Sequence, residues 1–341
     1  ARGREERIRR AADVREPAMR TEPGPLDAVR VRVPAKVNLF LAVRGRRDDG
    51  MHELVSIMQT VGLRDELTAA FSGSRSARFH PASRKTMKVV LEEPGEGAPD
   101  GEQNLAVQAA ALLAEQVGID AAPGDARTPN GPATILHLTK RIPVAAGMAG
   151  GSADAAAALV ALNRLWNCEQ GRDALREVAG RLGADVPFCV TGGTALATGT
   201  GIATAQVLCR GVFHWTVGIS AEPLSTADVY RAWDELFSPS EVEPDIVLQA
   251  LRTGDVEALG AGLHNDLEGA TFHLRPELEV ARDAMLAAGA LGVIVSGSGP
   301  TLVALAEDGD RAEAISRATA EHFARTEVAS SPAGGPELLP A

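Results

Sequence analysis

Residues 143–159 read PVAAGMAGGSADAAAAL: a loop with glycines at Gly147, Gly150 and Gly151 runs straight into an alanine-rich helix. The first N–H groups of a helix have no carbonyl partner, and the aligned peptide dipoles place roughly half a positive charge there. Anions therefore collect at such an end, and glycines just ahead of it let a phosphate approach the backbone closely. Ser152 reads as the N-cap, and Asp154 then falls in the first turn, where a carboxylate suits the dipole. The pattern predicts a nucleotide-phosphate site. The bland alternative is a flexible loop opening an ordinary alanine-rich helix.

Two common phosphate loops are excluded. A Walker A loop needs Lys followed by Ser or Thr after its last glycine; here Ser152 follows Gly151 with no lysine. A dinucleotide fingerprint needs GxGxxG, and Ala145, Gly147 and Gly150 do not supply that spacing.

Composition narrows the classes. At 341 residues the chain has room for about two domains. Aromatic residues are only 4%, so alanine and valine must do much of the core packing. A net charge of -11 disfavours a nucleic-acid partner, and an acidic protein that handles an anion must gather positive potential locally. No apolar run approaches the ~18 residues of a membrane span, so no membrane partner is expected. The Arg-rich start lacks the apolar stretch of a secretory signal. Cys168, Cys189 and Cys209 are odd in number and lack metal-ligand spacing, which favours a reducing, cytoplasmic setting.

Along the chain, residues 1–28 read as a disordered basic tail with Pro17, Pro23 and Pro25. Val29, Val31 and Val33 alternate with arginine as one strand, and 37–43 (VNLFLAV) reads as a second. Further strands are expected at 54–63, 67–71, 87–91, 133–139, 213–219, 292–295 and 301–306. Helices are expected at 104–118, 152–166, 172–182, 226–237, 246–260, 274–288 and 310–325. A Pro/Gly loop covers 123–132. The mixture lacks a regular βαβ rhythm, so the fold class is α+β. The expected organisation is an N-terminal domain at 29–200, a C-terminal domain at 210–327 and a flexible tail at 328–341.

Three other segments carry candidate chemistry. In Pro34–Leu54, Lys36 and Asn38 enter a buried strand. Lys36 either faces a site, where it would neutralise a phosphate, or snorkels from a strand edge. His52 follows a glycine turn and is either a plain surface or core histidine or a reader of a base edge, since imidazole both donates and accepts. In 182–193 (LGADVPFCVTGG), Asp185 precedes an apolar strand broken by Pro187. A carboxylate there is either paired and functional or a helix-terminal cap. In 293–305 (VIVSGSGPTLVAL), the Gly-Ser loop is either a plain turn or a second wall of backbone N–H groups around phosphates.

Taken together these segments resemble the GHMP kinases. The 143–159 stretch is similar to their second motif and SGSGPT to their third. PAKVNLFL, RRDDGMHEL, LGADVPF, STADVY (225–230) and HNDLE (264–268) resemble the members that phosphorylate a cytidine diphosphate-linked methylerythritol on its 2-hydroxyl, a step of isoprenoid synthesis. The likeness runs over about 29–325. It implies a two-domain fold, with an N-terminal domain like domain 2 of ribosomal protein S5 and a ferredoxin-like C-terminal domain. ATP is the implied co-substrate, with Mg²⁺. Its phosphates would lie on Pro143, Val144, Ala145, Ala146, Gly147, Met148, Ala149, Gly150, Gly151, Ser152 and Ala153.

The resemblance further implies Lys36 and Asp185 as the catalytic pair. Asn38, Met51, His52 and Tyr230 would bind the small-molecule acceptor, with His52 on cytosine and Tyr230 stacked on its ring. Metal ligands are not implied. Members of the family commonly carry Tyr or Phe where Met51 stands, so one wall of an expected sandwich between Tyr230 and position 51 is changed. Many have Gly where Ala149 stands, which implies a position with no need for positive φ. Two other readings stay open: a GHMP kinase of homoserine or mevalonate type, and a non-catalytic nucleotide-binding relative. The DGMH turn and STADVY weigh against the first, and retention of Lys36 and Asp185 against the second.

Overall fold

The alternation of Val29, Val31 and Val33 with Arg30 and Arg32 does build a strand, but it does not stop at Pro34. In the computed structural model, which describes residues 28–72, 87–95, 97–123 and 133–340, β1 runs unbroken over Ala28–Arg46. Pro34 is tolerated at a register shift against β2, where its missing N–H costs the ladder least. The two strands expected at 54–63 and 67–71 are likewise one, β2 (His52–Phe71). Alternation predicted strand type correctly; it could not see that bulges carry a strand through a proline.

The remaining strands are β3 (Met87–Glu93), β4 (Ala121–Pro123), β5 (Ala133–Thr139), β6 (Thr194–Gly199), β7 (Ala203–Gln206), β8 (Phe213–Ile219), β9 (His264–Asn265), β10 (Gly292–Val295), β11 (Leu302–Ala306), β12 (Arg325–Ser331) and β13 (Glu337–Leu339). The helices are α1 (Leu105–Val117), α2 (Gly150–Leu165), α3 (Arg172–Gly180), α4 (Val186–Thr191), α5 (Thr226–Leu236), α6 (Asp245–Thr253), α7 (Val256–Gly262), α8 (Glu268–Leu274), α9 (Glu277–Ala287) and α10 (Gly309–Thr319).

The larger sheet has the order β13-β1-β2-β5-β3-β4. The far edge of β2 is shared: its first half pairs with β6 and its last six residues with β5. The smaller sheet, β10-β11-β8-β12, is antiparallel throughout. Antiparallel pairing dominates both, and the fold is α+β. The chain changes sheet between β7 and β8, but β9 and β13 return to the larger one.

The segment 328–341, expected as a flexible tail, is corrected: β12 pairs along β8 and β13 along β1. Ser331 explains part of this. It is fully buried, accepts from Trp215 Nε1 at 2.7 Å and donates to Gln59 Oε1 at 2.5 Å, so a polar, proline-containing stretch is held by partners far away in sequence. The basic tail and most of the Pro/Gly loop at 123–132 lie outside the described residues.

Alanine does much of the packing. Helix α2 buries Ala153, Ala155, Ala156, Ala157, Ala158 and Ala161, and lies close against β1, β2 and α1. Helix α1 opens with Asn104 accepting from Ala106 N at 2.9 Å and ends at Gly118 with φ 70°. Small side chains let α2 approach the sheet closely. Enlarging one would overpack the core at a cost of roughly 1–3 kcal/mol.

Candidate functional site

Three chain segments converge beside β1. Lys36 is 5% exposed, a placement that requires partners for its ammonium. It has two: Nζ donates to Asn38 Oδ1 at 2.6 Å and lies 3.5 Å from Asp185 Oδ2. Asn38 in turn donates to Ser56 Oγ at 2.8 Å, and Ser56 donates to Phe40 O at 2.7 Å. Lys36 is thus held by a relay anchored in the β1–β2 ladder rather than snorkelling from an edge.

Asp185 does not precede a strand. VPFCVT is the short helix α4, with Asp185 at its N-cap position, Pro187 near its start and no side-chain cap bond. Proline suits a first turn because its missing N–H has no intrahelical partner there in any case. The Asp185 carboxylate is therefore not spent on capping; it faces Lys36 with its side chain about a third exposed.

The glycine loop lies against Lys36. Lys36 N donates to Met148 O at 3.2 Å. Ala145, Gly147 and Ala149 have φ of 50°, 75° and 56°. Alternating left-handed residues turn backbone N–H groups toward one concave side, a geometry that receives anions. The expectation that Ala149 needs no positive φ is corrected: it is the left-handed N-cap of α2. Ser152 is corrected with it. The helix begins at Gly150, so Ser152 lies in the first turn and Gly150, Gly151 and Ser152 supply the N–H groups without intrahelical carbonyls. The Gly150 hydrogen faces inward, where a Cβ would lie 3.1 Å from Ile142 and 3.4 Å from Lys140 Nζ. A side chain here would press on the packing beneath the loop.

The SGSG loop is no plain turn. Ser296 Oγ donates to Gly147 O at 3.0 Å, and a Cβ on Gly147 would sit 1.9 Å from Ser296 O. A Cβ on Gly297 would lie 3.3 Å from Asn38 Oδ1 and 3.6 Å from Lys36 Nζ. Asn265 fixes this loop by donating to Val295 O and Gly297 O at 2.8 and 2.7 Å. Neither Ser296 nor Asn265 stood out in sequence beyond its motif, because their work is done across loops.

On the far side of Asp185, Tyr230 and His52 stack with centroids 4.6 Å apart and planes at 29°, and Trp233 meets His52 edge-on. His52 Nε2 pairs with Asp234 Oδ1 at 2.7 Å. Burial and then the Asp185 charge push the Tyr230 hydroxyl up to about 12. Met51 is 54% exposed. One face of Tyr230 carries His52. A base inserted between those two rings would have to hold them at roughly twice their stacking distance.

Beneath the loop lies a cluster that sequence reading missed. Lys140 Nζ donates to Asp65 Oδ2 and, at 2.7 Å, to Asp154 Oδ2. Asp65 Oδ1 accepts from Arg141 N at 2.6 Å and Ile142 N at 2.8 Å, clamping the root of the loop. Asp154, read as a first-turn dipole partner, is buried, and its Oδ1 has no hydrogen-bond partner. Burial pushes its carboxyl up to about 7 despite Lys140. Burial pulls Lys140 down, but the two carboxylates outweigh it and hold the ammonium above its ordinary range. The signal was a lysine and an acid flanking one glycine loop; their common partner, Asp65, lies 75 residues from Lys140.

Among the described residues no group of three or more His, Cys, Asp or Glu is placed to hold a metal ion.

Comparison with known proteins agrees with this architecture. A family model described as GHMP kinases N terminal domain matches residues 104–193, and one described as GHMP kinases C terminal matches 247–325. The chain is 46% identical over 284 residues to the 4-diphosphocytidyl-2-C-methyl-D-erythritol kinase of Mycobacterium tuberculosis, covering 81% of each. It is 43% identical over 329 residues to that of Mycolicibacterium gilvum, covering 93% of this chain and 94% of the relative. The crystal structure of a 4-(cytidine 5'-diphospho)-2C-methyl-D-erythritol kinase superposes with a TM-score of 0.68 at 34% identity, over 88% of this chain and 98% of that one. Homoserine kinase from Cytophaga hutchinsonii shares the fold, with a TM-score of 0.68 at 19% identity, over 93% and 99% of the two chains.

Proposed function

From a chain that belongs to the GHMP kinases, among the 4-diphosphocytidyl-2-C-methyl-D-erythritol kinases, we propose the following division of labour. The reaction is ATP-dependent phosphorylation of the 2-hydroxyl of 4-(cytidine 5'-diphospho)-2-C-methyl-D-erythritol, a step toward isoprenoids. Residues 143–153 cradle the ATP phosphates through the left-handed loop and the open N–H groups of α2. Asp185 accepts the proton of the attacking hydroxyl. A tertiary alcohol is a poor nucleophile, and a positioned base is worth roughly 10²–10⁴ in rate. Lys36 has three N–H donors; Asn38 takes one, and the Asp185 carboxylate pairs with the ammonium at 3.5 Å. A remaining donor is free to meet a phosphoryl oxygen and offset its growing charge. A Mg²⁺ on the nucleotide would neutralise phosphate charge in the same cleft.

Asn38, Met51, His52 and Tyr230 line the acceptor side, with cytosine read by His52 and stacked on Tyr230 after the two rings part. Asp234 holds His52 through Nε2. On this reading the nucleobase end and the reacting end share one cleft. Three free cysteines fit a reducing setting, and we place the enzyme in the cytoplasm with small molecules rather than nucleic acid as partners.

The observation that carries these assignments is the buried Lys36, bound to the glycine loop through its backbone N–H and facing an uncapped, partly exposed Asp185. Asp185→Asn is expected to lower kcat at least ~10²-fold with the fold retained. Lys36→Met should depress kcat/KM while ATP still binds, and Lys36→Arg should restore activity only in part, since a planar fork does not replace a compact ammonium. Near-wild-type turnover of folded Asp185→Asn would remove it from the mechanism.

A further inference from the structure

A second charged cavity lies on the sheet away from this cleft. It has a volume of about 670 Å³ and is bounded by β1, β2, the end of β5 and β12. Four guanidinium groups line it: Arg32, Arg64, Arg141 and Arg325. The carboxylates beside them are largely committed elsewhere. Asp65 is held by Lys140 and by two backbone N–H groups, and Glu66 binds Arg30 through a short bond, 2.5 Å from its Nη2. Arg64 is engaged by Glu337, and Arg325 donates to Arg141 O at 2.6 Å while standing 3.4 Å from Glu327.

Two guanidiniums are left over. Arg32 reaches only to 3.9 Å from Glu66, and the Arg141 side chain has no ion pair or hydrogen bond among the described residues. In a chain of net charge -11, a cavity with unspent arginines is the reverse of the background.

We propose that this cavity is a binding site for a diphosphate-bearing small molecule, separate from the kinase cleft. Guanidinium forks suit phosphate oxygens two at a time, and arginines from different strands can grip adjacent phosphates. The volume is in the range of small-molecule sites and exceeds what one phosphate fills. Leu63 and Val328 supply apolar wall for an organic group. None of the residues assigned to ATP or acceptor lines the cavity. The floor is nevertheless shared with the root of the glycine loop, because Asp65 and Arg141 belong to both.

The test is calorimetric titration of the full chain with inorganic pyrophosphate, with the cleft filled by saturating non-hydrolysable ATP analogue and CDP. One further pyrophosphate per chain is expected. The double variant Arg32→Ser/Arg141→Ser should weaken it at least tenfold. Glu327→Gln removes a competing carboxylate and should tighten it severalfold, which keeps the proposal testable if the double variant folds poorly. Titration with butyl diphosphate separates the two sources of the same chemistry. Tenfold tighter binding than pyrophosphate identifies an organic diphosphate, and equal binding identifies the bare anion. No heat from either probe with the cleft filled, or equal affinity in wild type and double variant, would overturn the site. Failure here leaves the kinase assignment untouched, since turnover is not the readout.

Discussion

At the level of single residues, the molecule is most informative where a side chain sits in a place its type avoids. Ala149 is left-handed at φ 56°, a conformation that costs an L-residue roughly 1–2 kcal/mol. Glycine would remove that strain but add about 0.4–1 kcal/mol of unfolded-state entropy. Ala149→Gly should therefore stabilise the protein by about 0.5 kcal/mol in urea unfolding; a loss of that size would show that the Ala149 methyl packs usefully. Tyr230 offers the functional counterpart. Stacking on a base is worth about 1–3 kcal/mol, so Tyr230→Ala should raise the KM for the cytidyl substrate at least tenfold. The KM for ATP should not move, and equal rises in both would place Tyr230 outside the acceptor pocket. Lys36, Asn38, Asp185 and His52 could be singled out from sequence because each is a polar residue at the edge of an apolar run. Their mutual arrangement could not, since the 3.5 Å Lys36–Asp185 approach joins residues 149 positions apart.

At the level of elements, sequence patterning located β5, β8 and β10 to the residue and helices α1 and α3 to within two. It failed where non-local partners decide. β1 and β2 were divided because a bulge is invisible to alternation, α4 looked like a strand because a short apolar run fits either, and β12 and β13 looked like a tail. The start of α2 was misplaced by the same blindness, since the Lys140–Asp65–Asp154 cluster fixes the loop from below. That cluster makes a pH prediction. The Asp154 carboxyl is raised above its unfolded value, so between about pH 4 and 7 the native state holds a proton that the unfolded chain has released. Stability then falls as pH rises across that window, by at most about 1.4 kcal/mol per unit for one proton. Asp154→Asn should flatten this slope in urea unfolding measured from pH 5 to 7. An unchanged slope would mean that Asp154 is ionised throughout.

At the level of the whole molecule, the site exists because elements of both sheets meet beside β1. β1 contributes Lys36 and Asn38, the chain following β5 contributes the glycine loop, and the loop between β10 and β11 closes over both through Ser296, Gly297 and Asn265. Homoserine kinase has the same fold, so the fold alone does not choose the acceptor. In the proposed assignment the choice falls to His52 and Tyr230, which would offer aromatic surface and an Asp234-bound imidazole to a base that homoserine and mevalonate lack. The most direct measurement is ADP release by the full-length enzyme with 4-(cytidine 5'-diphospho)-2-C-methyl-D-erythritol, homoserine and mevalonate side by side. The expected result is kcat/KM for the cytidyl substrate at least ~10³-fold above either alternative, equivalent to about 4 kcal/mol of transition-state binding. Comparable turnover of homoserine or mevalonate, or no turnover of the cytidyl substrate, would contradict the account.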